Sequence, residues 1–344
     1  MEELIKKNEK SSQRISRRDF ITKSSAAAAA FMIVPRYVLG GLGYTAPSDK
    51  INIAAIGVGG KGRSDIAAVA TENIVSLCDV DEVKMFDTIK RAGEWAEEKG
   101  LSENPLTKVP RYKDFREMLD KQKDIDAVTV STPDHFHAVA AITAIKQGKH
   151  AFVQKPLTYS VDEAQKLSAA AKKAGVVTQM GNQGHAGEGI RLIGEWLKDD
   201  AIGEVREVHC WTNRPIWDTG MNRPAEIPSV PSTLDWNQWI GPAPFRPYHP
   251  DYAPWSWRAW CDFGTGALGD MGAHIFDIPY HTLKMDHPTS VFASSSKFNG
   301  ESWPVASTIY YEFPQRGLLP PVKLTWYDGG IMPSRPEGIE PGRR

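Results

Sequence analysis

Cysteine is scarce in this chain. Cys78, Cys210 and Cys261 are the only three, and with no C-x-x-C pair among them they exclude a disulfide framework and a cysteine zinc site. An excess of one charge is also missing, because Lys and Arg number 41 against 42 Asp and Glu. That balance offers no basic stripe for nucleic acid and no polybasic membrane patch. Long apolar runs are lacking too: the stretch from Ala26 to Val34 holds nine residues, well short of the roughly 20 a helix needs to cross a bilayer. No internal repeat or low-complexity linker divides the sequence.

What is present begins with Ser16-Arg17-Arg18-Asp19-Phe20-Ile21-Thr22-Lys23, followed by the alanine-rich apolar run and then by Pro35 and Arg36. That order is the pattern of a twin-arginine export signal. Residues 1–46 are therefore expected to be signal and linker, read by the twin-arginine machinery, leaving a periplasmic protein without a membrane span. Eight basic and four acidic residues go with that segment, so the formal charge falls from −1 to −5. Small neutral ligands suit such a balance. Folding in the cytoplasm before export agrees with the lack of disulfides, and the remaining length is enough for two domains.

Residues Ile51 to Gly62 read INIAAIGVGGKG, an apolar strand emptying into glycines, and Asp79 ends the next apolar run, 17 residues beyond Gly62. This is a dinucleotide site written in backbone requirements. Gly57 turns the chain out of the strand, Gly59 clears the approach of a pyrophosphate, and Gly62 lets the helix pack against the sheet. Gly60 belongs to the same loop, and the phosphates are expected at the helix N-terminus. Asp79 would accept hydrogen bonds from the adenosine ribose, which favours NAD, while Lys84 and Arg63 keep NADP open.

From Ile51 to about Met180 strands and helices alternate: INIAAI, NIVSLC, AVTV, HAFV and VVTQM, with helices from Lys61, Asp81, His135 and Val161 between them. Such βαβ units with continuous apolar strands predict an α/β fold, a doubly wound parallel Rossmann sheet over residues 50–180. Ligands of such sheets bind past the C-terminal strand ends. Gly57, Asp79, Ser131-Thr132-Pro133 and Gln154-Lys155-Pro156 all stand at such ends, so Ser131, Thr132, Pro133 and Lys155 join the cofactor-binding set. Residues 181–330 predict a second, α+β domain with a mostly antiparallel sheet. It has helices at about Ala186–Asp199 and Gly269–Lys284 and strands near Glu204–Trp211, Val291–Phe298 and Ser307–Phe313. The tail at 331–344 is expected to be flexible.

The chemistry is expected from Lys155, Asp270 and His274. Lys155 follows a buried strand directly, at the sheet edge where it can polarise a substrate oxygen. Asp270 and His274 stand at i and i+4 on one helix face, which suits an oriented general base for a hydroxyl proton. Asp277 and His281 extend that face at a spacing that could bind a metal, but Pro279 interrupts the helix, hydride transfer needs no ion, and no metal is expected. His135 and His137 read as packing or cofactor-edge residues. Trp217, Trp236, Trp239, Trp255, Trp257 and Trp260, with Tyr248 and Tyr252, either staple an irregular segment or form a wall for sugar rings. Gln183, Arg258 and Asp277 are the substrate-binding candidates.

With GVGGKG, STPDHFHA, VQKPL and GDMGAHIFD in this order, the chain resembles the glucose-fructose oxidoreductase / inositol dehydrogenase / MocA family (Gfo/Idh/MocA) from about Lys50 onward, in its exported, Trp-rich branch. The resemblance implies that the second domain is an open sheet carrying substrate and subunit contacts. It also implies reversible NAD(P)-dependent oxidation of a sugar, glycoside or cyclitol hydroxyl, by a homo-oligomer. It gives Lys155 the role of the family's E-K-P lysine, and Asp270 and His274 those of its D-x-x-x-H pair. The E-K-P glutamate is Gln154 here, so Lys155 should lose its proton more readily unless another acid compensates. The chain also stops soon after LTWYDGG, where relatives continue with more sheet, as a truncated gene would. Two alternatives stay open: redox-assisted glycosidase or lyase chemistry, and an inactive sugar-binding relative. Beyond the inner membrane free NAD is scarce, so the cofactor is expected to be carried out tightly bound.

Overall fold

The structure is a computed structural model that describes residues 45–98, 100–101, 103–336, 338–340 and 342. The expected export signal lies outside the described residues. Pro47–Asp49 is a short 3-10 turn, and residues Asn52–Arg344 form the second compact unit.

The parallel sheet follows from short apolar runs buried on both faces. Its strands are β1 (Asn52–Ile56), β2 (Asn73–Cys78), β3 (Arg111–Tyr112), β4 (Ala127–Val130), β5 (His150–Gln154) and β6 (Thr178–Gly181). They lie in the order β3-β2-β1-β4-β5-β6, all parallel. The order reverses at β1 and β4, which opens a crevice above their C-terminal ends. Five helices cover the sheet: α1 (Lys61–Ala68), α2 (Glu82–Glu98), α3 (Phe115–Lys121), α4 (His137–Lys146) and α5 (Val161–Ala174). One apolar layer gathers Ile56, Val130, Met118, Ala141 and Ile145, and the other Ala55, Leu77, Ile66, Met85 and Leu106. The local signals agree with the helix ends. Ser160 and Glu163 close a capping box at the start of α5, and Gly175 ends it with φ 68°.

Beyond β6 come α6 (Glu188–Lys198), β7 (Glu207–Trp211), α7 (Trp236–Ile240), α8 (Gly266–Ile275), α9 (Asp277–Thr282), β8 (Ser290–Ser295), β9 (Ser307–Phe313) and β10 (Val322–Tyr327). The second sheet runs β7-β10-β9-β8, with β10 parallel to β7 and the other pairs antiparallel. Besides the unforeseen short helices α3 and α7, three features depart from the sequence reading. The expected helix from Gly269 to Lys284 is two helices meeting at Phe276, because Pro279 has no N–H to continue the ladder but fits a first turn. The strand β10 was not expected, although Val322, Leu324 and Trp326 alternate and are buried. The third departure is the short third strand, β3, whose two residues carry too little periodicity to be read.

The Trp-rich segment is chiefly a core. Trp217, Trp236, Trp239, Trp257 and Trp260 are buried with Tyr252 and Phe263, whereas Trp255 is 61% exposed. Trp236 and Trp239 stack at 4.8 Å. His135 belongs to this packing: its ring nitrogens lie 3.1 Å from the carbonyls of Phe263 and Trp239, and burial pushes it down to about 4. It thus fastens the end of β4 to the aromatic core and stays neutral.

Candidate active site

The glycine loop leaves β1 through Gly57, whose φ is 78°. A Cβ on Gly57 would stand 2.7 Å from the Ser131 carbonyl oxygen, and one on Gly62 only 1.9 Å from that of Gly57. The fold itself therefore demands both glycines. Gly59 differs, because the atoms nearest its Cβ would be side-chain carbons of Lys84, from 3.0 Å at Cβ to 3.3 Å at Cδ, and not backbone. The open space is beside Gly60, the N-cap of α1, whose Cβ would meet nothing within 4 Å and which caps no amide with a side chain. A bare backbone beside open helix amides is what a dinucleotide pyrophosphate requires.

Asp79, at the end of β2, accepts hydrogen bonds at Oδ2 from the amides of Val58 (2.8 Å) and Gly59 (3.3 Å), and at Oδ1 from that of Asp81. It fixes the loop as well as facing the crevice. Burial pushes its carboxyl up, and the three amides pull it back part of the way. Thr132, after β4, has a buried hydroxyl without a hydrogen-bond partner. That orphan at the crevice rim fits a polar cofactor group.

Asp65 of α1 was not singled out in the sequence. Its buried carboxylate accepts from Lys61 Nζ (2.6 Å), Ser131 Oγ (2.8 Å) and Gln154 Nε2 (2.9 and 3.1 Å). The strand ends of β4 and β5 are thereby tied to the glycine-loop helix, and an acid stands beside the position where Gln154 lacks one.

Lys155 extends from β5 to α8. Its Nζ donates to Asp270 Oδ1 and to the Asp270 carbonyl, both at 2.6 Å, leaving its third proton for another oxygen. Arg258 Nε donates to Asp270 Oδ1 at 3.2 Å, and Arg214 Nε lies 3.6 Å from Oδ2. Burial raises the Asp270 carboxyl, but Lys155, Arg258 and Arg214 outweigh it and hold it below the usual range.

Asp270 and His274 share a helix face as the spacing predicts, yet Asp270 does not orient the imidazole. Asn182, just past β6, does so instead. Its Nδ2 donates to the Ala273 carbonyl at 2.9 Å, which turns Oδ1 toward His274 Nδ1 at 2.7 Å. An amide oxygen only accepts, so Nδ1 carries the proton and Nε2 is left with its lone pair. Burial and the nearby Lys155 ammonium push His274 below its ordinary value, which keeps the base neutral near pH 7.

Of the substrate candidates, Arg258 joins this cluster. Asp277 is one turn further along and is bonded to His185 Nδ1 at 3.0 Å, with the His281 ring 5.0 Å from that of His185. Gln183 is exposed on the 3-10 turn that carries His185 and makes no hydrogen bond to the cluster. His137 is buried between the carbonyls of Thr132 (2.8 Å) and Pro156 (2.7 Å) and clasps the β4 and β5 ends together. Among the described residues no group of His, Cys, Asp or Glu converges as a metal site. An apolar cleft of about 330 Å³ opens along α8 and α9 between Pro156, Gly272 and Tyr280. A larger one of about 530 Å³, near Lys113, Trp236 and Phe245, lies away from these groups.

Asn182, Asp65, Arg214 and His185 were missed in the sequence. The strand-end rule that found Lys155 reaches Asn182 and His185 when applied to β6, whereas nothing local marks Arg214.

Comparison with known proteins gives a consistent result. The profile of an oxidoreductase family's NAD-binding Rossmann fold matches residues 51–182, and that of the same family's C-terminal alpha/beta domain matches residues 204–313. A glycosyl hydrolase family 109 protein of Solibacter usitatus is 33% identical over 35% of this chain and 27% of its own length. The levoglucosan dehydrogenase of Pseudarthrobacter phenanthrenivorans is 26% identical over 48% of this chain and 34% of its own. The chain thus spans less than half the length of these curated relatives. An oxidoreductase domain protein from Kribbella flavida, solved by crystallography, superposes with a TM-score of 0.53 at 25% identity, covering 81% of this chain and 66% of that one.

Proposed function

Because this chain belongs to the Gfo/Idh/MocA oxidoreductase family, we propose that it oxidises or reduces a CH–OH carbon of a sugar, glycoside or cyclitol with NAD. The observation that carries this reading is the His274 tautomer: Asn182 holds Nδ1–H, and Nε2 is free beside an ammonium pinned by Asp270. Bound NAD supplies the hydride acceptor. The residues of this chain do the rest. Lys155 offers its remaining N–H to the reacting oxygen, and His274 Nε2 takes the hydroxyl proton on oxidation and returns it on reduction. Asp270 positions Lys155, while Gly59, the α1 amides, Asp79 and Thr132 hold the cofactor.

His274→Ala and Lys155→Ala should each lower turnover about 10²- to 10⁴-fold while NAD still binds, as followed by NADH absorbance and calorimetry. Full activity in both variants sinks the assignment. Similarity to a glycosyl hydrolase family 109 protein favours one second reading, cleavage with the cofactor regenerated. Product analysis separates them: net bond cleavage with catalytic NAD selects the second.

Export completes the proposal. Arg17-Arg18 and the apolar run after them support transport of the folded protein to the periplasm, with NAD tightly bound. Lysines at both positions should leave the protein in the cytosolic fraction. Unchanged periplasmic recovery would count against this route.

A further inference from the structure

We propose that the site is built for an anionic substrate, a sugar acid whose carboxylate is held by Arg214 and Arg258. The inference rests on the dehydrogenase reading and names the substrate class of that same site. Lys155, Arg258 and Arg214 converge on one carboxylate, Asp270, at 2.6, 3.2 and 3.6 Å. Three cations against one anion leave two positive charges without a partner in the cluster. His274, held as a neutral base, does not offset them, and Asp277 is engaged by His185. Asp134, a further acid that Arg258 and Lys155 influence, is buried and accepts from the Thr265 amide and hydroxyl. Counting it in full still leaves one positive charge in excess.

The two guanidinium groups are also incompletely used. Arg258 lies over the Trp257 ring at 4.1 Å and donates only through Nε. Arg214 reaches Asn213 Oδ1 with Nη1 at 3.2 Å. Among the described residues neither Nη atom of Arg258, nor Nη2 of Arg214, has a hydrogen-bond acceptor. Both side chains are 25–28% exposed, and neither is among the buried groups left without a partner, so their unpaired Nη edges are open to a ligand. A planar carboxylate matches a guanidinium fork, supplies the missing charge, and leaves the third Lys155 proton for the reacting hydroxyl. A neutral sugar would occupy the space and leave the excess charge in place. The acidity of the whole chain argues for neutral ligands, but over these few ångströms the local charges decide.

The test uses the full chain with NAD and matched pairs, glucuronate against glucose and galacturonate against galactose, with glucose 6-phosphate as a further arm. Calorimetry reads affinity, and NADH absorbance reads turnover. The acid of each pair should bind about 10- to 100-fold tighter, with the ratio shrinking as salt rises. Arg214→Gln and Arg258→Gln should each bring the ratio toward one. Arg206→Gln, a change at an exposed arginine paired with Glu204, should leave it unaltered. The wild-type ratio and its salt dependence need no folded variant. Equal affinity within the pairs, or a preference for the phosphate over the uronate, overturns the proposal. Acid preference without NAD reduction by any sugar removes the dehydrogenase reading and leaves the anion site standing. Turnover of neutral sugars alone does the reverse.

Discussion

The glycine loop and the cluster around Asp270 serve one crevice, but different forces shape them. In the loop the constraints are steric and mostly local: Gly57 needs a positive φ, and Gly62 cannot carry a Cβ against the Gly57 carbonyl. In the cluster they are pairings between side chains 115 residues apart for Lys155 and Asp270 and 92 apart for Asn182 and His274. Backbone sterics are strict and repeat from protein to protein, whereas a buried polar group accepts any partner that satisfies its geometry and charge. The loop is therefore set by its own backbone, and the cluster by partners brought from far along the chain.

Two substitutions in the loop give the sharpest test of that contrast. Gly62→Ala should cost about 3 kcal/mol or more, since backbone meets the added Cβ, and thermal unfolding will read the loss. Gly59→Ala should cost less, about 1 kcal/mol, because the added Cβ presses on Lys84 Cβ at 3.0 Å and not on backbone, and should weaken NAD about tenfold. If Gly59→Ala unfolded the protein instead, fold and ligand requirements in the loop would not be separable.

A smaller effect is expected in the reaction half. Asn182→Asp places a carboxylate on His274 Nδ1 and favours the imidazolium. The wild-type base titrates below its ordinary 6.5, so activity should be lost only as pH falls through that lowered value. In the variant the acid limb of the pH–rate profile should move up by about one unit. An unmoved limb would mean that Asn182 packs against His274 without setting its proton.

Much of the fold was legible. The apolar runs of β1, β2, β4, β5 and β6 and the capping box at Ser160 announce themselves within a few residues. β10 carries an equally local signal in Val322, Leu324 and Trp326, just beyond the Gly317-Leu318 turn and Pro320-Pro321. Its place at the centre of the second sheet is a pairing fact that no window of sequence contains. The Trp-rich segment shows the same limit: aromatic density predicts burial or a ligand wall equally well. Only the packing of Trp236, Trp239 and Trp260 around Tyr252 and Phe263 chose burial.

The candidate site divides along the same line. Lys155 was found because it follows a buried strand, and His274 because its helix spacing is local. The partner of His274 was misassigned to Asp270, since i and i+4 place two residues on one face without making them touch. The acid beside Gln154 proved to be Asp65, 89 residues earlier in the chain.

By itself, then, the sequence determined the parallel sheet, the glycine loop with Asp79, and the residue types at the strand ends, because backbone geometry and apolar periodicity are properties of neighbouring residues. Only the tertiary structure decided which nitrogen of His274 meets Asn182 and which cations surround Asp270. Those depend on distances between elements far apart in the chain, and electrostatic and hydrogen-bond energies change steeply with such distances.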